Sequence, residues 1–458
     1  MTNNPPERAV VEIWQKLMDK AGLTTEGGES VRIIYPGRKN DDRGADFRDA
    51  VIATSQGIMK GDIEVHVKSS DWQAHRHHRD PAYNQVILHV VMWHNSQAAT
   101  ELHNGKTAPI LALDKYIGSP NGHWARLVHS PASSGMPCLE TVKGLATDTL
   151  AEFLDSAGEE RFWAKAAEFQ AELTQMEASQ CLYQGIMGAL GYAKNKPPML
   201  QLARRLPLHI LQSMTQGEVS DQERLAQLQA LLLGTAGLLP LQRQNRHRGY
   251  KGDRWADKLE GLWASSHGTK AMSEDDWHLF KVRPNNFPLR RIAAMSYLIL
   301  RYRERGIVEE VVDMIKETPV SRGYLRPEKE FEVTVDGYWA SHFDFGLDCK
   351  SDNPTLLGRW RAADIAVNVL LPFTLAWSKL NSQSGVEQKT FELYRRYPRL
   401  AANTVERHMM KQLGLNSSLV NSAQRQQGLI HIYNTLCSQG RCHCCRLSQL
   451  EAGDDIQV

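Results

Sequence analysis

The sequence predicts an α+β, or α/β, core over residues 1–120. A linker at 121–145, a large and mostly α-helical region at 146–432 and a cysteine-rich tail at 433–458 follow it. Three observations carry this reading. Alternating and continuous apolar runs of strand length are confined to the first part of the chain. From about Asp148 onward, apolar residues recur at helical spacing almost to the end. Four of the 7 cysteines crowd together at Cys437, Cys442, Cys444 and Cys445.

Taken in order, Pro5 and Pro6 precede a helical stretch, Glu7 to Ala21, in which Val10, Ile13, Trp14 and Leu17 form one apolar stripe. Gly27 and Gly28 break it. Val31, Ile33 and Tyr35 alternate as a strand ending at Pro36-Gly37. Phe47 to Thr54 and Ile58 to Lys68 read as two strands of a hairpin turning at Gln56-Gly57. Val86 to Trp93 is a continuous apolar run, as expected of a strand buried on both faces. Pro109 to Leu113 reads as a further short strand. Leu150, Phe153, Leu154, Phe162 and Phe169 mark an amphipathic helix or helix pair. Glu223 to Leu233, Pro288 to Arg305 and Arg361 to Leu380 read as later helices, the last kinked at Pro372. Boundaries are expected in Ser119 to Val142 and Gln242 to Arg254.

Composition narrows the class. The 458 residues carry 54 Lys+Arg and 52 Asp+Glu, with 42% apolar residues. Such a chain is too apolar and too evenly charged to be disordered. No run of roughly 18 apolar residues marks a membrane span. Met1 to Arg8 is polar, unlike a secretory signal. The expected location is therefore the cytoplasm, where clustered cysteines read as metal ligands before disulfides.

The first chemical constellation is Asp46 with Glu64, His66 and Lys68. Asp46 opens one hairpin strand. Glu64, His66 and Lys68 alternate on the other and so share a face. Folding about Gln56-Gly57 brings the two carboxylates together. Such a pair suits Mg²⁺ or Mn²⁺, which would activate water and stabilise a phosphate in flight, with His66 or Lys68 orienting the water or neutralising charge. The competing reading is a turn cap and the wet face of a strand. Histidines concentrate just beyond. His75, His78, Asp80 and His89 form a further candidate site, because imidazole and carboxylate together ligate transition metals. His89 lies within the apolar run, so it must be hydrogen-bonded or ligating.

This arrangement resembles the PD-(D/E)XK nuclease superfamily. The resemblance implies a restriction-endonuclease-like mixed sheet, with an acidic residue opening one strand, Glu-x-Lys on the next, and a glutamate on a preceding helix. Here Gly44-Ala45-Asp46-Phe47 stands at the first position. Glu64-Val65-His66 stands at the second, with His66 in place of lysine. Glu7 or Glu12 would supply the extra carboxylate to the metal. The implied activity is hydrolysis of phosphodiester bonds in DNA or RNA. The alternative is a non-catalytic protein that binds nucleic acid or another protein. Several segments also look like a bacterial family catalogued only as a domain of unknown function, DUF2851. Among them are Gly61-Asp62-Ile63-Glu64-Val65-His66, Asp80-Pro81-Ala82-Tyr83-Asn84, Arg283-Pro284-Asn285-Asn286-Phe287-Pro288 and Gln427-Gly428-Leu429-Ile430.

Two further groups complete the expectations. Cys437, Cys442 and Cys445 are comfortably spaced for one Zn²⁺ or an iron–sulfur cluster, with Cys138 a candidate fourth ligand. Arg243, Arg246, Arg248 and Lys251 lie in a basic loop with Tyr250, a candidate nucleic-acid contact. Arg290-Arg291, Arg301 to Arg305 and Arg395-Arg396 are weaker candidates. Each of these also reads as an ordinary solvated face.

Overall fold

The computed structural model describes residues 5–17, 22–117, 138–243, 253–266, 270–322, 325–349 and 354–449. The chain divides into two compact units. The first joins Met1–Gly158 to Ala402–Asn421 and Arg425–Val458, and the second comprises Glu159–Ala401 with Ser422–Gln424.

The first unit is built on a seven-stranded mixed sheet. Helix α1 (Glu7–Leu17) precedes it, and residues 18–21 of the expected helix lie outside the described residues. The strands are β1 (Leu23–Thr24), β2 (Ser30–Tyr35), β3 (Arg38–Lys39), β4 (Phe47–Thr54), β5 (Gly57–Lys68), β6 (Val86–Trp93), β7 (Thr100–Glu101), β8 (Thr107–Ala108) and β9 (Ile110–Ala112). The sheet order is β1-β2-β4-β5-β6-β9, with β3 also paired to β4, while β7 and β8 form a separate ribbon. Strands β2, β4 and β5 run antiparallel. Strand β6 is parallel to β5 and β9 is parallel to β6. A parallel pair needs a crossover. Here residues 69–85 supply it through a short helix, α2 (Asp71–Ala74), and two single-turn 3-10 helices.

Period-two alternation gives the sheet two different faces. Ile63 and Val65 of β5 pack with Leu88, Val90 and Met92 of β6 under the α1 stripe of Val10, Ile13, Trp14 and Leu17. Ile13 and Trp14 are fully buried. Each such side chain contributes about 1.5–3 kcal/mol relative to exposure. Glu64 and His66 therefore point to the other face. That face is covered at one side by Trp72 and Tyr83 of the crossover, which pack with Val86, Leu102 and Ala108. Over β2 and β4 it is covered by a cluster joining Tyr35 and Val51 to Leu150, Phe153 and Leu154, and to Met409, Leu429, Ile432, Tyr433 and Leu447.

Residues 402–421 and 425–449 belong with the sheet, so the described part of the cysteine tail packs within the first unit. Helices begin at Leu139–Gly144, and the second unit begins at Glu159. A single helix, Thr147–Leu173, runs through the boundary between Gly158 and Glu159. Most of the 121–145 linker lies outside the described residues.

The second unit is helical around one large apolar cluster. The helix expected at 223–233 spans Asp221–Thr235, with Ser220 capping it by accepting the Glu223 N–H at 3.2 Å. The helix beginning at Pro288 ends at Arg301 rather than Arg305. The expected kink at Pro372 takes another form. Proline offers no N–H to the preceding turn, and there the chain widens into a π-helical turn, Ala366–Leu370, between Arg359–Ile365 and Leu371–Leu380. Among the described residues, one helical stretch, Asp221–Gln242, is long and apolar enough to cross a membrane, and 78% of its most apolar window is buried within the protein.

Candidate metal centre

Strand pairing brings Asp46 and Glu64 together as expected, through each other's backbone. Glu64 Oε2 accepts the N–H of Asp46 at 3.0 Å, and Asp46 Oδ2 accepts the N–H of Val65 at 3.0 Å. Each carboxylate is thus fixed by one oxygen at the entrance of β4. Glu64 Oε1 faces imidazoles instead. It lies 3.5 Å from His66 Nε2 and 3.4 Å from His77 Nε2. His66 Nε2 is also 3.2 Å from His75 Nδ1. One ring nitrogen from each of His66, His75 and His77 lies within 4.8 Å of the other two. Bonds of about 2.0–2.2 Å to one metal ion require tetrahedral ligand separations of about 3.3–3.6 Å. The two distances at Glu64 Oε1, 3.5 and 3.4 Å, match that spacing, and the 3.2 Å between His66 and His75 falls just short of it.

His75 and His77 converge because of the residue between them. Arg76 adopts φ 61° and ψ 30°, a left-handed conformation uncommon for a residue with a Cβ. In a continuing helix, side chains two residues apart diverge. The left-handed residue turns the chain so that both imidazoles face His66. Tyr83 lies against the His77 ring at 3.9 Å between centroids, and Trp72 meets it edge-on at 5.3 Å. His66 is buried, His77 half-buried and His75 exposed, so the cluster opens to solvent on the His75 side.

Of the sequence candidates, His75 joins the cluster directly and His89 supports it. His89 is fully buried on β6, where Nε2 lies 2.9 Å from His66 Nδ1 and Nδ1 lies 2.8 Å from Thr100 Oγ1. One tautomer set satisfies this chain with the metal-facing nitrogen unprotonated. His89 Nδ1–H donates to Thr100, His66 Nδ1–H donates to His89, and His66 Nε2 keeps its lone pair. His78 and Asp80 fall outside the cluster. His78 Nε2 accepts from Arg79 at 3.2 Å. Asp80 pairs with Arg43 at 2.9 Å and caps the turn at Pro81 by accepting the Ala82 N–H. His77 takes the place expected of His78. The two helix carboxylates proposed, Glu7 and Glu12, part company. Glu12 pairs with Arg8 one turn away at 3.3 Å, whereas Glu7 interacts electrostatically with Asp46, Asp71 and His75. Lys68 sits half-buried two positions beyond His66, its backbone N–H donating to Asp71 Oδ2 at 2.9 Å.

Burial sets the protonation of the donors. Desolvation, then the Asp46 charge, pushes Glu64 up to about 9. Desolvation and neighbouring imidazoles push His66 down to about 2, His77 to about 4 and His89 to about 3. His66 is therefore a neutral lone-pair donor and supplies none of the positive charge expected at a lysine position. A divalent ion would reverse this balance by favouring the Glu64 carboxylate.

The thiols gather elsewhere in the first unit. Gln412 Nε2 lies 3.7 Å from both Cys138 Sγ and Cys437 Sγ. Cys442 and Cys445 interact electrostatically with both Cys138 and Cys437. Cys444 is exposed.

Several basic residues of the second unit are engaged within the fold, while Arg395 and Arg396 are exposed. Arg243 is buried, bonding Asp344 at 2.6 Å and Glu274 at 2.9 Å, so it does not offer nucleic acid a contact. It was legible only as part of a basic loop because both partners are remote in sequence. Arg246, Arg248 and Lys251 lie outside the described residues. Arg290 donates to the carbonyls of His342 and Thr355, and Arg291 to that of Leu356. Arg303 and Arg305 pair with Asp221 and Glu310.

The chain belongs to the family described as protein of unknown function DUF2851, whose model matches residues 7–402. The matched region contains Asp46, Glu64 and all the clustered histidines and stops before Cys437. No curated protein and no solved structure matches the chain.

Proposed function

We propose that the chain is a cytoplasmic, metal-dependent hydrolase of phosphodiester bonds in DNA or RNA, acting at the cluster of Glu64, His66, His75 and His77. The observation that carries this reading is the pair of 3.4–3.5 Å separations from Glu64 Oε1 to two imidazole nitrogens, beside Asp46. Nitrogen donors favour Mn²⁺ or Zn²⁺ over Mg²⁺, which prefers oxygen. The donors come from β5 and the crossover, and an ion held there would be reached by solvent on the His75 side. A water held there would lose a proton near neutral pH. Asp46 is the adjacent carboxylate that orients it. Exposed Lys39, Arg76 and Arg79 flank these elements in sequence and suit a phosphate-bearing substrate. The order of α1, antiparallel β2, β4 and β5, the crossover and parallel β6 also accords with the superfamily that the Asp46 and Glu64 motifs resemble.

The test is cleavage of single- and double-stranded DNA and RNA by the full chain loaded with Mn²⁺ or Zn²⁺. The Glu64→Ala protein should lose at least about 1,000-fold in rate while keeping its circular dichroism. Folded, metal-loaded protein that is inactive on all four substrates would overturn the reading.

A further inference from the structure

We infer that Cys138, Cys437, Cys442 and Cys445 form a second, thiophilic metal centre, holding Zn²⁺ or an iron–sulfur cluster, that fastens the C-terminal segment onto the sheet. This centre is independent of the histidine cluster and of any hydrolytic activity.

The argument starts from convergence. Cys138 precedes the long helix of the first unit, and the other three thiols lie about three hundred residues later. Cys138, Cys437 and Cys445 meet in one apolar cluster that includes Val51, Leu419, Tyr433 and Leu447, and Cys442 interacts electrostatically with all three. All seven cysteines are free, so no disulfide accounts for the meeting. Cys437 and Cys445 are buried, while Cys138 and Cys442 are half-buried. A cation at the centre of the group would be held by thiolates, each ligating thiol releasing its proton to water.

The surroundings are arranged for thiolates. Gln412 is buried, and its amide nitrogen donates to two of the four sulfurs at once. Its orientation is fixed from behind, because Tyr35 O–H donates to Gln412 Oε1 at 3.4 Å. Tyr35 in turn meets His408 Nε2 at 2.5 Å. Groups that hold N–H donors against metal-bound sulfur in this way orient and tune such a site. The local chain path also resolves the adjacent pair Cys444-Cys445. Gly440 turns left-handed at φ 66° against Val51, and the Cys445 N–H bonds the Cys442 carbonyl at 2.9 Å. This turn leaves Cys444 exposed and keeps Cys445 inside. One sulfur of the adjacent pair is therefore available to the centre.

A site of four sulfurs leaves no open position, which assigns it a structural rather than a hydrolytic role. The test measures metal and inorganic sulfide in the full chain, purified anaerobically. The background is His75→Ala/His77→Ala, so that the histidine cluster holds no ion. Zinc at about one per chain, without colour, identifies the zinc form. Iron with matching sulfide and broad visible absorption identifies the cluster form. In either form, Cys138→Ser should lower the metal content several-fold, as Cys442→Ser does. Cys444→Ser and Cys181→Ser should leave it unchanged. Should the serine variants unfold, Co²⁺ titration of the parent protein reports the same ligands through thiolate-to-cobalt absorption. The inference is overturned if the protein holds neither zinc nor iron after reconstitution and shows no cobalt–thiolate band, or if folded Cys138→Ser keeps the full metal content.

Discussion

The histidine cluster and the thiol cluster lie on the same face of one sheet and differ in their surroundings. Around Glu64 the donors are a carboxylate and three imidazoles, and one of them, His75, stands in solvent. Around Cys437 the donors are thiols wrapped in apolar side chains, with an amide and a tyrosine behind them. On the readings proposed above, the first arrangement would leave room for a water and a substrate beside an ion, and the second would close on whatever it held. The contrast lies in the exposure of one donor more than in the number of donors.

The largest expected effect that sharpens this contrast is on pH dependence. In the metal-free protein, Glu64 is raised from 4.5 to about 9, so its contribution to stability is present at low pH and lost as pH rises toward 9. His66, His77 and His89 are lowered from 6.5, so their contribution is present above 6.5 and lost as pH falls through about 4 to 2. Stability measured by urea denaturation should therefore peak near about pH 6.5 and fall on the alkaline side by up to about 1.4 kcal/mol per pH unit. Glu64→Gln should remove most of that alkaline fall. The raised thiols stay protonated across the same range, so Cys437→Ser should leave the shape of the profile alone. An alkaline fall unchanged in Glu64→Gln would break the distinction.

A smaller effect addresses the thiol side alone. A Cβ on Gly440 would lie 2.8 Å from Val51 Cγ1 at a left-handed position. Gly440→Ala is expected to cost about 1–3 kcal/mol. It should leave the affinity of the histidine cluster for Mn²⁺ or Zn²⁺ unchanged, as read by calorimetry in a Cys437→Ser background. A urea midpoint equal to that of the parent would show that the tail is not seated as described.

The smallest effect concerns the histidine side. Arg76→Gly relieves about 1–2 kcal/mol of left-handed strain and adds a comparable entropy cost, so stability should move by less than about 1 kcal/mol. Metal affinity should be retained. A β-branched residue resists the left-handed conformation more strongly. Arg76→Val should therefore separate His75 from His77 and weaken binding at least about tenfold. Equal affinities in the glycine and valine variants would remove Arg76 from the account.

What could be read in advance was whatever short-range pattern controls. Strands β2, β4, β5 and β6 announce themselves by alternation or by an unbroken apolar run, and the turn at Gln56-Gly57 places Asp46 beside Glu64. The choice of His77 over His78 was hidden because it depends on one backbone conformation at Arg76 that no side-chain pattern encodes. Glu7 and Glu12 were equally open as the added carboxylate on a helix of unknown phase. The pairing of Glu12 with Arg8 and the position of Glu7 required the docked helix. Arg243 looked like a solvated cation until the fold supplied Asp344 and Glu274. The return of residues 402–449 to the sheet was equally hidden, since it depends on contacts such as Arg425 with Asp155 at 2.9 Å, far apart in sequence.

The discontinuity of the first unit has a consequence during synthesis. Tyr35 and Val51, on β2 and β4, are made early, yet much of the surface that covers them, around Leu429, Ile432 and Tyr433, is translated only after the whole second unit. At about 5–20 residues per second, that interval is on the order of 10–50 s. Throughout it the nascent sheet carries an uncovered apolar face beside two of its edge-proximal strands. The C-terminal segment can close over that surface only once it has been made, long after the strands it covers.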